Sequence, residues 1–209
     1  MPIVNYAGRE ITAKIVYYGP ARSGKTTNLQ FIHNSLPEAR RGPIVSLATE
    51  GDRTLFFDYL PLELGRISGY ATRIQLYTVP GQVYYDSTRR LVLQGADGVV
   101  FVADSRRDQE AENLDSFRNL QEHLLDDGVD PRSLPLALQY NKRDLPDALP
   151  VPTIAGSLNF RALPAVEASA LHGEGVFETL ETITDLVISR LARSLDAAPG
   201  RRVADEGGE

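Results

Sequence analysis

The sequence predicts an α/β fold in three layers, with a mostly parallel central sheet flanked by helices. Three observations predict it. Short apolar runs of strand length recur along the chain, and helical spacings of three and four lie between them. A glycine-rich loop joins the first long run to the first helical stretch.

The runs over residues 11–18, 44–48, 98–103 and 134–140 are continuously apolar enough to be strands buried on both faces. Residues 72–79 alternate instead. Ile74, Leu76 and Thr78 share one face and Arg73, Gln75 and Tyr77 the other, which predicts a half-solvated strand. A short last strand is expected over 163–168. Helices are expected over 26–35 and 84–94. Leu114, Phe117, Leu120 and Leu124 mark another, and Val176, Leu180, Ile183, Val187 and Leu191 mark the last. Residues 1–196 read as one domain. Residues 197–209 are rich in glycine and charge without periodicity and read as a disordered tail.

Composition narrows the function classes. The 209 residues include 42% apolar and 24% charged side chains, enough to bury a core. A net charge of -6 argues against non-specific nucleic-acid binding and against a polybasic membrane anchor. Cysteine is absent, so disulfides, thiol catalysis and thiolate metal sites are excluded. No apolar run reaches the roughly 18 residues of a membrane span. The first residues carry no basic-then-apolar signal, and the last carry no prenylation box, so a cytoplasmic protein without membrane insertion is expected. His33, His123 and His172 fit no metal or triad spacing and read as ordinary residues.

Gly19-Pro20-Ala21-Arg22-Ser23-Gly24-Lys25-Thr26 matches the phosphate-loop pattern G-x-x-x-x-G-K-[ST] between a strand and a helix. The chemistry needs those residue types. Glycines let the backbone curl so that several N–H groups face phosphate oxygens, and the helix amino terminus adds partial positive charge. Lys25 brings a full charge to the β- and γ-phosphates, and the Thr26 hydroxyl suits Mg²⁺. Thr27 continues the same turn. The alternative is a plain glycine turn.

Asn141-Lys142-Arg143-Asp144 follows the run ending at Tyr140, at a strand's carboxyl end, where open α/β sheets bind ligands. Asp144 accepts hydrogen bonds only, so it suits the paired N1–H and amine donors of guanine, which adenine lacks. The alkyl stem of Lys142 can lie over a base plane. Asn141 can hold neighbouring loops, and a backbone N–H within Ser169-Ala170-Leu171 can complete the base pocket. Asp104, after the strand over 98–103, reads as a cap for the next loop. Taken alone, Asn141 to Asp144 is equally a solvated turn. However, the chain has only three lysines, and Lys25 and Lys142 fall in these two motifs. Their order and separation are those of guanine-nucleotide switches.

Together the motifs make the chain similar to Ras-like small GTPases with a three-layer P-loop NTPase fold. Further stretches resemble the MglA subfamily of these bacterial switches. They are Tyr17-Tyr18-Gly19-Pro20, Lys25-Thr26-Thr27-Asn28-Leu29-Gln30, Asp52-Arg53-Thr54-Leu55-Phe56-Phe57-Asp58, Leu76-Tyr77-Thr78-Val79-Pro80-Gly81-Gln82 and Gly98-Val99-Val100-Phe101-Val102-Ala103-Asp104-Ser105. The resemblance spans roughly residues 3–195. It implies a GTP/GDP switch with Mg²⁺ as cofactor and Thr26 and Thr54 as metal ligands. It makes Gln82 the residue that orients the attacking water, next to Gly81, and Arg53 an arginine finger carried in the same chain. It also implies a Roadblock/LC7-type homodimer of the MglB kind that binds the switch side and accelerates hydrolysis. Roles in cell polarity and gliding motility, with recruitment to a cell pole, follow from the resemblance alone.

Two positions depart from common small GTPases. Thr78 stands where most carry an aspartate that grips Mg²⁺ through water, which predicts a weaker outer shell. Ala21 stands where glycine is usual, facing the γ-phosphate and Gln82, which predicts slow intrinsic turnover. The aromatic stretch over 56–62 reads as core or strand beside a partner face. Two rival readings remain: a GTP-loaded scaffold with negligible hydrolysis, and a P-loop kinase or ATPase that uses adenine.

Overall fold

Strand β2 (Glu10–Tyr18) is the axis of the molecule. It pairs in parallel with β5 (Tyr70–Thr78) on one side and β6 (Gly98–Asp104) on the other. Beyond β6 come β7 (Leu136–Asn141) and β8 (Ala165–Glu167), both parallel. Beyond β5 come β4 (Phe57–Ile67) and β3 (Val45–Leu47), both antiparallel. The short β1 (Ile3–Asn5) pairs antiparallel with the start of β2. The strand order is β3-β4-β5-β2-β6-β7-β8. The computed structural model describes residues 2–47, 57–67, 69–82 and 85–196.

Helices α1 (Lys25–Ser35) and α5 (Val176–Asp196) cover one face of the sheet. Helices α2 (Asp86–Leu93), α3 (Glu110–Asp126) and α4 (Val151–Leu158) cover the other. Strand residues alternate between two cores because successive side chains point to opposite faces. Ala13, Ile15 and Tyr17 pack with Leu29, Ile32 and Ile183. Val16 and Tyr18 pack with Phe101, Phe117 and Leu120. The three layers and the mostly parallel sheet are those expected. Among the described residues, no helix is long and apolar enough to cross a membrane.

Several elements differ from expectation. The run over 44–48 forms only the three-residue β3 at the sheet's rim, with Val45 exposed, so it is not buried on both faces. Its apolar composition fits a central strand, but chain order leaves it beside β4 alone. Helix α4 is not among the helices expected from the sequence. Pro152 falls in the first turn, where its missing N–H has no helical partner to lose. Strand β4 is longer than the aromatic stretch suggested. It carries Pro61 and a register shift between Glu63 and Gly65, and Gly65 takes φ +87°.

A buried polar chain fixes α1 behind the phosphate loop. Asn28 Nδ2 donates to Gln139 Oε1 at 2.8 Å, and Gln139 Nε2 donates to Asn28 Oδ1 and Thr179 Oγ1, each at 2.9 Å. These bonds join α1, β7 and α5 through side chains without solvent exposure. Buried amides need such partners, because an unpaired one costs about 1–3 kcal/mol.

Candidate functional site

The loop over residues 19–24 leaves β2 and enters α1 through two glycines in positive-φ conformations. Gly24, the residue before α1, has φ +105°, and a Cβ there would strike the Asn141 amide. Gly19 has φ +147°, and a Cβ there would strike the Val102 carbonyl. Ser23 is fully buried and Arg22 takes φ +60°. Lys25 folds back over the loop, and its Nζ donates to the Gly19 and Pro20 carbonyls at 2.9 and 2.6 Å. Burial lowers its pKa to about 7, aided by the Arg89 guanidinium and opposed by the Asp58 carboxylate. An anion entering the loop relieves that penalty by giving the ammonium a counter-charge.

A cavity of about 480 Å³ opens in front of this loop. Lys25, Thr26, Thr27, Asp58, Thr78 and Gly81 are among its walls. Asp58 was not singled out from the sequence, yet it organises one side. Its Oδ2 accepts from the Thr26 hydroxyl at 2.6 Å and from the Thr78 hydroxyl at 3.0 Å. Its Oδ1 accepts from the Ser46 hydroxyl at 2.6 Å, and its backbone N–H donates to Thr78 Oγ1 at 2.9 Å. The antiparallel register that pairs Tyr59 with Tyr77 continues to place Asp58 opposite Thr78. A carboxylate therefore stands beside Thr78, the position at which a weaker outer shell is expected. Hydroxyl and carboxylate oxygens without nitrogen or sulfur are the hard donors that Mg²⁺ takes. It also keeps several waters and uses substrate phosphates rather than an all-protein cage. The residues present fit that ion. Among the described residues no cluster of three acidic or histidine side chains competes for it.

Gly81 and Gln82 follow β5. A Cβ on Gly81 would fall within the Ala21 backbone, so this segment lies directly on the phosphate loop. Ala21, Gly81, Gln82 and Tyr85 share the wall of a second cavity of about 380 Å³. The methyl of Ala21 and the amide of Gln82 thus border one space. Helix α2 is fixed beneath them by His123, which the spacing argument set aside. His123 Nε2 lies 2.9 Å from Asp86 Oδ1, and Nδ1 lies 3.2 Å from the Tyr18 hydroxyl. Both ring nitrogens are thus engaged, one by α2 and one by β2. Arg89, 2% exposed, donates to Asp86 Oδ1 at 3.0 Å and lies over the Tyr18 ring.

The base loop stands beside the phosphate loop. Asn141 Nδ2 donates to the Ser23 carbonyl at 2.7 Å, and Asn141 Oδ1 accepts from the Ala170 N–H at 2.8 Å. One amide therefore ties three loops, as expected of Asn141, and the Ala170 N–H is engaged in that tie. Ser169 is buried and Leu171 is 72% exposed at the rim. The Asp144 carboxyl lies below the usual carboxylate range. The Ser169 hydroxyl beside it is the main cause, with burial opposing. Lys142 takes φ +67° and donates from Nζ to Asp104 Oδ2 at 2.6 Å. Asp104 is buried and also accepts from the Arg106 guanidinium and backbone N–H. It caps the next loop, as expected, and holds the base-loop lysine as well. Burial pushes its pKa up, but hydrogen bonds from Arg106 and Lys142 outweigh this and leave it low. Arg53 and Thr54 lie outside the described residues.

A strand–loop–helix phosphate cradle, tied by Asn141 to a second loop at the same edge of the sheet, defines a P-loop protein of the Ras-like class. No family model matches the chain. It is 51% identical over 193 residues to Mutual gliding-motility protein MglA of Myxococcus xanthus (strain DK1622), covering 92% of this chain and 99% of that protein. It is 28% identical over 153 residues to ADP-ribosylation factor-like protein 4D of Homo sapiens, covering 70% of this chain and 72% of that protein. The Mus musculus counterpart matches to the same extent. The chain belongs to the MglA family of Ras-like small GTPases.

Proposed function

We propose that this GTPase is a molecular switch that binds GTP or GDP with Mg²⁺ and hydrolyses GTP slowly by itself. One observation carries the reading: Asn141 Nδ2 donates to the Ser23 carbonyl at 2.7 Å, which supports one nucleotide being shared by the phosphate loop and the Asn141 loop. Gly19, Ala21, Arg22, Ser23, Gly24, Lys25, Thr26 and Thr27 receive the phosphates. Asp144 and Lys142 select and cover the base, with Ser169, Ala170 and Leu171 closing the pocket.

Phosphoryl transfer to water needs positioning and charge neutralisation more than covalent chemistry. Lys25 and the loop amides hold the phosphate oxygens. Bound Mg²⁺ would neutralise charge developing between the β- and γ-phosphates. Thr26 and Thr54 would be its protein ligands, with Asp58 holding its waters. Gln82 orients the attacking water, and Arg53 donates two N–H groups to phosphate oxygens in the transition state. The Ala21 methyl borders the space Gln82 must use, which supports a slow intrinsic rate. The γ-phosphate would favour a partner-binding state of the switch side. The partner is a Roadblock/LC7-type homodimer of the MglB kind that docks on the switch side and speeds hydrolysis. The similarity to a gliding-motility protein supports a role in polarity or motility, inside the cell and at its pole.

Multiple-turnover phosphate release, with and without the Roadblock homodimer, tests the reading. Slow release that the homodimer accelerates is the expected result. Negligible release in both arms favours the hydrolysis-deficient scaffold instead, which Ala21 and Thr78 support. Asp144→Asn tests the base. An unchanged preference for GTP over ATP in that variant removes the guanine assignment.

A further inference from the structure

Lys142 is anchored at its tip, and the anchor is built with care. Asp104 ends β6 and shows no solvent exposure. Its backbone is clamped by Asn113 of α3: the Asp104 N–H donates to Asn113 Oδ1 at 2.9 Å, and Asn113 Nδ2 donates to the Asp104 carbonyl at 2.8 Å. Its carboxylate then takes two cations. Lys142 Nζ donates to Oδ2 at 2.6 Å, and Arg106 donates to Oδ2 from a terminal nitrogen at 2.9 Å and to Oδ1 from Nε at 3.2 Å. The parallel register pairs Asp104 with Asn141, so the carboxylate stands beside the loop that binds the base.

We propose that Asp104 is a positioning residue for the nucleotide: its buried carboxylate holds the Lys142 ammonium and thereby sets how long a guanine nucleotide stays bound. The inference rests on the guanine-binding reading and deepens it. A lysine side chain free in solvent samples many rotamers, and ordering it over a base costs conformational entropy. A tether at the ammonium removes most of that freedom before the nucleotide arrives. The left-handed backbone of Lys142 at φ +67° shows that the chain accepts local strain to keep this direction. Arg106 completes the device. When Lys142 moves, Arg106 still neutralises the buried carboxylate, so the lysine is released without leaving an unpaired charge in the core.

The test uses the full chain loaded with ribose-labelled fluorescent GDP and chased with unlabelled GDP in magnesium buffer. Asp104→Asn and Lys142→Met each loosen the tether from one end. Lys142→Met keeps most of the alkyl stem and leaves Asp104 paired with Arg106. Each single variant is expected to release GDP about tenfold faster, the scale of one charge-assisted bond. The double variant is expected to release no faster than Lys142→Met alone, within about twofold, because both act through one contact. Release within about twofold of wild type in Lys142→Met overturns the proposal, even where Asp104→Asn fails to fold. So does a double variant whose acceleration is the product of the singles, the signature of a purely structural Asp104. A wild-type protein that retains labelled ADP but not labelled GDP sinks the guanine reading instead, which keeps the two failures apart.

Discussion

The Thr26 hydroxyl donates to Asp58 Oδ2 at 2.6 Å, joining the second residue of α1 to a strand on the far side of β5. Thr78, opposite Asp58, gives that carboxylate a further hydroxyl at 3.0 Å. One carboxylate on β4 thus holds hydroxyls from both α1 and β5.

Asp58→Asn removes that charge with little change in shape. The magnesium concentration needed to retain labelled GDP is expected to rise about tenfold or more, the usual cost of losing an outer-shell partner. Release in excess chelator should change little. A magnesium titration of GDP retention checks this. An unshifted curve means that Asp58 merely braces β4.

Ala21→Gly clears the space bordered by Gln82. Single-turnover GTP hydrolysis is expected to accelerate by up to about tenfold, since displacement by an ångström can cost on the order of a hundredfold. An equal or slower rate in rapid-quench measurements shows that the methyl does not hinder Gln82.

The Lys25 ammonium gives a pH signature. In the nucleotide-free protein its pKa falls from 10.5 to about 7, mainly through burial. Between those values the unfolded chain keeps a proton that the folded chain has lost. This group therefore makes the nucleotide-free protein more stable as pH rises from about 7 towards 10.5. Bound phosphates restore the proton. Uptake of about one proton per GDP is expected near pH 8.5, falling towards none near pH 6. Calorimetry in two buffers of different ionisation enthalpy measures it. No uptake at pH 8.5 would show that Lys25 stays charged in the empty loop.

Gln139→Ala strands Asn28 Oδ1 in the core, while Asn28 Nδ2 keeps the Gly24 carbonyl at 2.9 Å. A loss of about 2–4 kcal/mol is expected by urea unfolding at saturating GDP. Adding Asn28→Ala should cost less than its own single effect, because the two amides serve each other. Strict additivity would place their stabilising roles elsewhere.

How much of this was legible in the sequence depends on how far apart the partners lie in the chain. The phosphate loop was legible because residues 19–26 carry their own strand, turn and helix context. The Asn141 loop was legible for the same reason. Asp58 and Thr78 were not paired, because their register joins the alternating run of β5 to β4, whose limits no local pattern marks. His123 reads as an ordinary residue, and its structural partners, Tyr18 and Asp86, come from other elements. Asp104 was read from its local position as a loop cap. Its contact with Lys142 exists only because β6 and β7 run side by side. The three-residue β3 misled for the opposite reason: an apolar run reports burial tendency, while sheet order decides exposure.

The outer border of β4 has a consequence for handling this protein. Among the described residues, the border beyond β3 is met by the Arg41–Leu62 bridge and by the Gly42 N–H, which donates to the Pro61 carbonyl at 3.0 Å, and the remainder would invite a second chain to add itself. Pro61 lacks the N–H such an addition requires, and the bulge between Glu63 and Gly65 bends the ladder out of line. The hairpin is thereby guarded against fibrous self-association, and straightening it by deleting Leu64 should turn a soluble preparation into one that precipitates.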